Sequence, residues 1–127
     1  MKHLLQILLL ITLVLPLIHC DTDNCPSGPY YGDLKVKLTI NDENPEVLVV
    51  VFEGNYERGD TIFSELVTTS SVTYEMEGDR FYSATAVYMR GPREIWAIDG
   101  KEMTVSDDDD DGCPYASDIT LRLNLDN

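Results

Sequence analysis

Apolar and polar residues alternate along three short segments of the chain, 34–40, 72–77 and 119–125. A period of two is typical of a β-strand that buries one face and exposes the other to water. A fourth segment, from Val47 to Phe52, is apolar at every position, which predicts a central strand of a sheet. These four segments indicate a fold that is built on sheets.

Three further segments complete the predicted set of strands. Residues 61–69 are the least regular, 81–89 are rich in β-branched and aromatic residues, and 94–98 follow a Gly-Pro break. Asp99-Gly100 predicts a hairpin turn directly after the last of them. Strands spaced about ten residues apart, with no helical period after residue 33, predict an all-β fold. We expect a single antiparallel β-sandwich of about seven strands, with a small β-barrel as the alternative.

One predicted strand is similar to those of known extracellular domains. The segment from Phe81 to Tyr88 (FYSATAVY) resembles a strand common in sandwiches of the immunoglobulin-like and transthyretin-like kinds. The chain lacks the paired core cysteines and the central tryptophan of antibody-type domains. The resemblance therefore implies an architecture, and no function follows from it.

The beginning of the chain resembles an export signal. Lys2 precedes an apolar run from Leu4 to Ile18, which is too short to span a bilayer comfortably, and polar residues follow it. The junction Leu17-Ile18-His19-Cys20 is similar to the lipobox of bacterial lipoproteins, although a small residue is usual where His19 stands. In that family the cysteine is lipidated and becomes the first mature residue.

This resemblance implies a membrane anchor and divides the chain into three parts. Residues 1–19 are the signal peptide, 20–33 a lipid-anchored tether and 34–127 the sandwich domain. Under this interpretation Cys20 carries the lipid, and the protein is extracytoplasmic and attached to a membrane. The alternative is ordinary signal-peptidase cleavage after Cys20, which gives a secreted protein.

The cysteine count agrees with lipidation of Cys20. The chain has three cysteines, and a lipid on Cys20 leaves Cys25 and Cys113 as an even pair in an oxidising compartment. We therefore expect a disulfide between Cys25 and Cys113.

Composition excludes several kinds of chemistry. Removal of residues 1–19 takes away both histidines, His3 and His19. Without imidazole, Ser-His-Asp and Cys-His catalysis and histidine-ligated zinc, copper or iron sites are excluded. The formal net charge of −14 repels nucleic acid, so we expect no nucleic-acid partner. The same charge attracts cations and basic proteins, or serves solubility.

One acidic run has the spacing of a metal-binding loop. Residues 107–112 contain D-x-D-x-D-G, which resembles the calcium loop of EF-hand proteins, and Asp118 stands at the twelfth position of that loop. The resemblance implies a Ca²⁺ site whose hard oxygen ligands come from Asp107, Asp109, Asp111 and Asp118. The alternative is a solvated acidic loop, because five consecutive aspartates match D-x-D-x-D by necessity. We predict no other cofactor.

No motif in the chain identifies a reaction, and we expect a non-enzymatic protein. The first hypothesis is an extracytoplasmic lipoprotein, attached to the membrane by its lipid, that acts as a binding or accessory module for a basic protein or a cell-surface ligand. The alternatives are an acidic inhibitor-like protein that docks on a basic extracellular enzyme, and a calcium-stabilised adhesion-type module. The candidate platforms for sugar or protein contacts are Tyr30, Tyr31, Tyr56, Tyr115 and Trp96. A further hypothesis is a hydrolase that uses two carboxylates among Glu53, Glu57, Glu65 and Asp99.

Overall fold

The computed structural model of the protein describes residues 25–107 and 112–125, and in these residues the chain forms strands and no helix. Nothing in this part of the chain is a helix long and apolar enough to cross a membrane. The all-β prediction is confirmed. The described strands are β1 (Tyr31–Lys37), β2 (Val47–Glu53), β3 (Asp60–Val67), β4 (Ser71–Glu77), β5 (Arg80–Arg90), β6 (Arg93–Met103), β7 (Val105–Asp107), β8 (Pro114–Ala116) and β9 (Ile119–Arg122).

The strands form two main sheets that pack face to face, and β7 and β8 form a short pair of their own. The three-stranded sheet has the order β4-β1-β9 and the four-stranded sheet has the order β3-β2-β5-β6. Neither main sheet closes on itself in the described residues, so the sandwich is confirmed and the barrel alternative is wrong. The pairing of β1 with β9 is parallel, whereas the other described pairings are antiparallel as expected.

The hydrophobic core lies between the two main sheets. Its side chains are buried and come from both layers, including Leu34 and Val36 of β1, Val49 of β2, Ala86 of β5 and Leu121 of β9. Removing such side chains from water stabilises the fold by about 25 cal/mol per Å² of apolar surface. Because neighbouring residues of a strand point to opposite faces, every second side chain of these strands lies outside the core.

Tyr88 connects both sheets within the core. Its hydroxyl donates to the carbonyl of Leu123 (2.6 Å) and accepts from the amide of Thr39 (3.1 Å). Burial raises the pKa of Tyr88, because the ionised phenolate would lose its hydration. The side chain thus holds β5 against the segments that follow β1 and β9.

Asn44 closes the sandwich at the opposite end from β7 and β8. Asn44 lies in the connection between β1 and β2, yet it is buried (4% exposed). Its Nδ2 donates to the carbonyl of Met89 (3.0 Å) and its Oδ1 accepts from the amide of Met89 (2.7 Å). The side-chain amide therefore takes the place of a strand neighbour for the end of β5. The amide of Asn44 donates in turn to Asn41 Oδ1 (2.7 Å).

Strand β6 differs most from its prediction. The turn predicted at Asp99-Gly100 is wrong, because β6 is continuous there. It pairs with β5 along its whole length, from Met103 opposite Arg80 to Arg93 opposite Arg90. The hairpin turns instead between the two strands, where Gly91 has a φ of 59° that glycine adopts freely. Asp99 stays extended and its Oδ2 accepts from the amide of Arg122 (2.7 Å), which links the edges of the two sheets.

The first and last main strands also shift from their predicted bounds. Strand β1 begins at Tyr31, inside the segment predicted as a tether. The carbonyl of Tyr30 accepts from the amide of Gly78 (2.8 Å), so the fold includes residues before β1. Strand β9 ends earlier than predicted, at Arg122. Leu123 nevertheless stays buried and its amide donates to the carbonyl of Lys37 (2.9 Å).

Candidate functional site

The outer side of the three-stranded sheet is polar. Acidic, basic and hydroxyl side chains alternate there with the buried apolar residues of the same strands. This pattern is typical of a sheet face that is solvated. We call this surface the polar face; its outward residues are Tyr31, Asp33, Lys35, Lys37, Ser71, Thr73, Glu75, Glu77, Thr120 and Arg122.

The outer side of the four-stranded sheet is mainly apolar. Its side chains stand at positions that alternate with the core residues of β2, β3, β5 and β6. The part of the structure described here places nothing over this surface, although several of its large side chains are about half exposed. We call it the apolar face; its apolar members are Leu48, Val50, Phe52, Ile62, Leu66, Phe81, Val87, Met89, Trp96 and Ile98.

One row of the apolar face crosses all four strands. The register places Leu66 beside Leu48, Leu48 beside Val87, and Val87 beside Trp96. With strands about 4.8 Å apart, this row is roughly 14 Å wide. Its two ends are the most exposed, Leu66 at 60% and Trp96 at 58%. The row is therefore a continuous apolar strip with a large side chain at each edge of the sheet.

The apolar character of β2 has a different cause from the one that its sequence suggests. The apolar residues on both sides of this segment predict a central strand, and β2 is indeed central in its sheet, between β3 and β5. Its inward residues Val47, Val49 and Val51 are buried, whereas Leu48 on the other side is 39% exposed. Only one side of β2 meets the second layer of the sandwich, so its outward apolar residues form a surface.

A shallow cavity lies at one end of the apolar face. It has a volume of about 260 Å³ and is lined by Asn55, Tyr56, Phe81, Ser83, Ile98, Asp99 and Gly100. The Phe81 ring covers Gly100, since a Cβ at Gly100 would lie 2.8 Å from Phe81 Cζ. Ser83 is buried beneath this edge and its Oγ donates to the carbonyl of Gly54 (2.6 Å). The cavity is smaller than the usual pocket for a drug-sized ligand, about 300–1,000 Å³.

The loop between β2 and β3 positions Tyr56 at this cavity. Gly54 starts the loop with a φ of 92°, which favours glycine. The carbonyl of Asn55 accepts from the amide of Gly59 (2.6 Å), and Asn55 Oδ1 accepts from the amide of Glu57 (3.0 Å). The hydroxyl of Tyr56 donates to Glu57 (3.1 Å), and this bond with the carboxylate charge raises the pKa of Tyr56. Tyr56 thus adds a second aromatic side chain beside Phe81.

Trp96 and Glu94 form the main polar contact on the apolar face. The indole Nε1 of Trp96 donates to Glu94 Oε1 (2.6 Å), which holds the carboxylate next to the exposed ring. Both residues lie on β6, two positions apart and on the same side of the strand. The arrangement presents an aromatic surface and a negative charge side by side.

The predicted disulfide is confirmed. Cys25 and Cys113 are bonded, with 5.2 Å between their Cα atoms, and the bond ties the start of the fold to the segment before β8. Disulfides persist in oxidising environments outside the cytosol. Cys20, the predicted lipidation site, lies outside the described residues.

The predicted calcium ligands are described only in part. Asp109 and Asp111 lie outside the described residues. Asp107 is the last residue of β7 and stands opposite Pro114 of β8. Asp118 Oδ1 accepts from the amide of Asp33 (2.9 Å). No group of three or more potential metal-ligating side chains occurs in residues 25–107 and 112–125, and the calcium hypothesis stays a prediction.

The four carboxylates of the hydrolase hypothesis are each bonded to a different group. In the described structure Glu53 pairs with the guanidinium of Arg80, and Asp99 accepts from the backbone amide of Arg122. Glu57 and Glu65 accept from the hydroxyls of Tyr56 and Tyr74. Burial raises the pKa of Tyr74, as does the hydrogen bond that its hydroxyl donates to the Glu65 carboxylate. These contacts tie each carboxylate to the scaffold.

The comparisons with known proteins found no match that would assign a role to this site. The chain matches no family model, no curated protein and no solved structure. Of the five aromatic platforms that the sequence suggested, Tyr56 and Trp96 lie at the apolar face, whereas Tyr31 and Tyr115 lie on β1 and β8. The sequence did not reveal the apolar face itself. The signal was the apolar alternate residues of 48–52, 62–66 and 96–98, which belong to one side of one sheet.

Proposed function

We propose that the protein is a non-enzymatic extracytoplasmic binding module that docks a partner protein on its apolar face. The observation that carries this proposal is the contrast between the two outer surfaces of one sandwich. The polar face has the composition of a solvated sheet, whereas the apolar face exposes large side chains in register across four strands. Extended apolar patches on soluble domains mark interaction sites.

Energetics favours a protein as the partner over a small ligand. Covering the exposed part of a side chain such as Leu66 is worth roughly 1 to 2 kcal/mol. Association itself costs on the order of 4–15 kcal/mol. Several residues of the apolar face must therefore be covered together, which needs a surface as broad as the sheet.

Site-specific photocrosslinking tests this proposal in the cells that naturally make the protein. A benzophenone amino acid replaces Leu66 or Trp96 on the apolar face, and the matched controls carry it at Thr73 or Thr120 on the polar face. We expect a discrete higher-mass adduct from the apolar-face positions alone. Equal adducts from both faces, or none from Leu66 and Trp96, would contradict the proposal.

The proposal includes a lipid anchor at Cys20. Its support is the lipobox-like junction together with the pairing of the other two cysteines with each other. A clickable palmitate analogue should label the full-length protein and leave the Cys20→Ser variant unlabelled and free of membranes. Label that persists in the variant favours the alternative of ordinary cleavage and secretion.

A further inference from the structure

All charged side chains on the apolar face have the same sign. Glu94 and Glu102 are the charged residues at the outward positions of β2, β3, β5 and β6, strands that lie wholly in the described part of the chain. The basic residues of these strands stand at the alternate positions, on the other side of the sheet, where three of them are exposed at its edges; they are Arg80, Arg90, Arg93 and Lys101. Interfaces place opposite charges against each other. A complementary surface is therefore apolar at its centre and positive around it.

The Trp96–Glu94 contact adds a more specific requirement. The Trp96 ring is 58% exposed and carries a carboxylate beside it, 2.6 Å from Nε1 to Oε1. A cation above an indole is attracted by the negative face of the ring. Here the same cation also meets Glu94. Arginine suits this arrangement best, because its planar guanidinium stacks on aromatic rings and pairs with carboxylates.

We infer that the partner of the apolar face is a protein with a positively charged surface that places an arginine or lysine on the Trp96–Glu94 contact. This inference rests on the proposed function and specifies its partner. The apolar side chains of the partner cover Leu48 and Leu66 in the same row. A second copy of the chain fits poorly, because it brings like charges together, and each chain has a formal net charge of −14.

A random peptide library displayed on phage provides an unbiased probe. The purified protein is the bait, and enriched peptides are sequenced and then measured individually against variants. Glu94→Gln removes the charge while its amide oxygen can still accept from Trp96, and Glu75→Gln on the polar face is the matched control. Leu66→Ser tests the apolar row itself.

We expect enriched peptides with net positive charge and at least one arginine or lysine next to apolar residues. Their affinity should fall about fivefold with Glu94→Gln, since partly exposed ion pairs and cation–π contacts are of this strength. It should fall with added salt, be unchanged with Glu75→Gln, and fall strongly with Leu66→Ser.

Each other outcome overturns a distinct part of the argument. Peptides that need Leu66 but are neutral or acidic, or that ignore Glu94→Gln, refute the positive partner and leave the proposed function standing. Failure to enrich any peptide that depends on Leu66 refutes both. A dimer in sedimentation that Leu66→Ser converts to a monomer identifies a second copy as the occupant instead. Binding to a glycan array that Trp96→Ala abolishes identifies a carbohydrate and likewise refutes the inference.

Discussion

Replacement of Asn44 by alanine should destabilise the protein far more than its place in a loop suggests. The side chain makes two hydrogen bonds with the backbone of Met89, at 2.7 and 3.0 Å, and is 4% exposed. Each bond contributes about 1 kcal/mol net, and an amide left without a partner adds to the loss. The expected decrease in the free energy of unfolding is about 2–3 kcal/mol. For a domain of this size that lowers the melting temperature by roughly 10–20 °C.

The variant Asn44→Asp keeps one of the two hydrogen bonds with Met89 at every pH and makes the other depend on pH. One carboxylate oxygen still accepts from the amide of Met89, but the other faces the carbonyl of Met89 without a proton to donate. That contact favours the protonated carboxyl and raises its pKa in the folded state above the ordinary value of about 3.9. A raised folded-state pKa means stability that is present at low pH and lost as pH rises through that value. The Asp variant should therefore gain stability relative to the Ala variant as the pH falls.

Thermal melting followed by circular dichroism, repeated from neutral to mildly acidic pH, measures these differences. Asn124→Ala, at an exposed position, is the control and should melt with the wild type. The reasoning is refuted if Asn44→Ala melts within a few degrees of the wild type. It is also refuted if the Ala and Asp variants differ by the same amount at every pH.

Three further predictions concern the disulfide, the acidic loop and alkaline pH. Thiol counting on the denatured, unreduced protein should find no free thiol at Cys25 or Cys113, and two titratable thiols would contradict the disulfide. Replacing both cysteines by alanine should lower the free energy of unfolding by about 4–5 kcal/mol, because the bond closes a loop with a sequence separation of 88. Millimolar Ca²⁺ should raise the melting temperature, whereas Mg²⁺ or NaCl at matched ionic strength should not. Asp118→Asn should abolish that rise, although its side-chain amide oxygen can still accept the hydrogen bond from the amide of Asp33. A full response to Ca²⁺ in this variant would mean that the segment is only a solvated acidic loop. Burial raises the pKa of Tyr74, Tyr82 and Tyr88 in the folded state. Because their phenols ionise first in the unfolded state, stability should fall as pH rises above about 10. A denaturation midpoint that stays constant through pH 11 would count against this role of the three tyrosines.

Alternation along the chain predicted most strands because it reflects a local property, the two sides of one strand. It succeeded where one side is buried and the other is charged, as in the strand that contains Leu34 and Lys35. The turn signal of the Asp99-Gly100 dipeptide failed, because this pair of turn-forming residues lies inside a long strand. The pairing with all of β5 decides the conformation there, and pairing depends on residues more than ten positions away.

The candidate site was harder to predict than the fold, because exposure depends on which layer covers a sheet. The sequence shows that both sides of 47–52 are apolar, but it does not show that Leu48 meets no second layer. Only the arrangement of sheets separates a buried apolar side from an exposed one. The disulfide was predictable because three cysteines allow few pairings once one is assigned to lipid.

With a lipid on Cys20 as proposed, the position of the disulfide sets which end of the domain lies near the membrane. Cys25 enters the fold at the end where β7 and β8 lie, so a tether attached there holds the sandwich by that end. The five residues from Cys20 to Cys25 reach at most about 18 Å, which keeps this end close to the bilayer. Along β5, Met89 lies roughly 26 Å beyond Phe81, in the direction away from the disulfide. A lipid on Cys20 would then attach the domain at the end opposite the hairpin of β5 and β6, so that the Trp96 region lies far from the point of attachment and is accessible to proteins that diffuse along the surface.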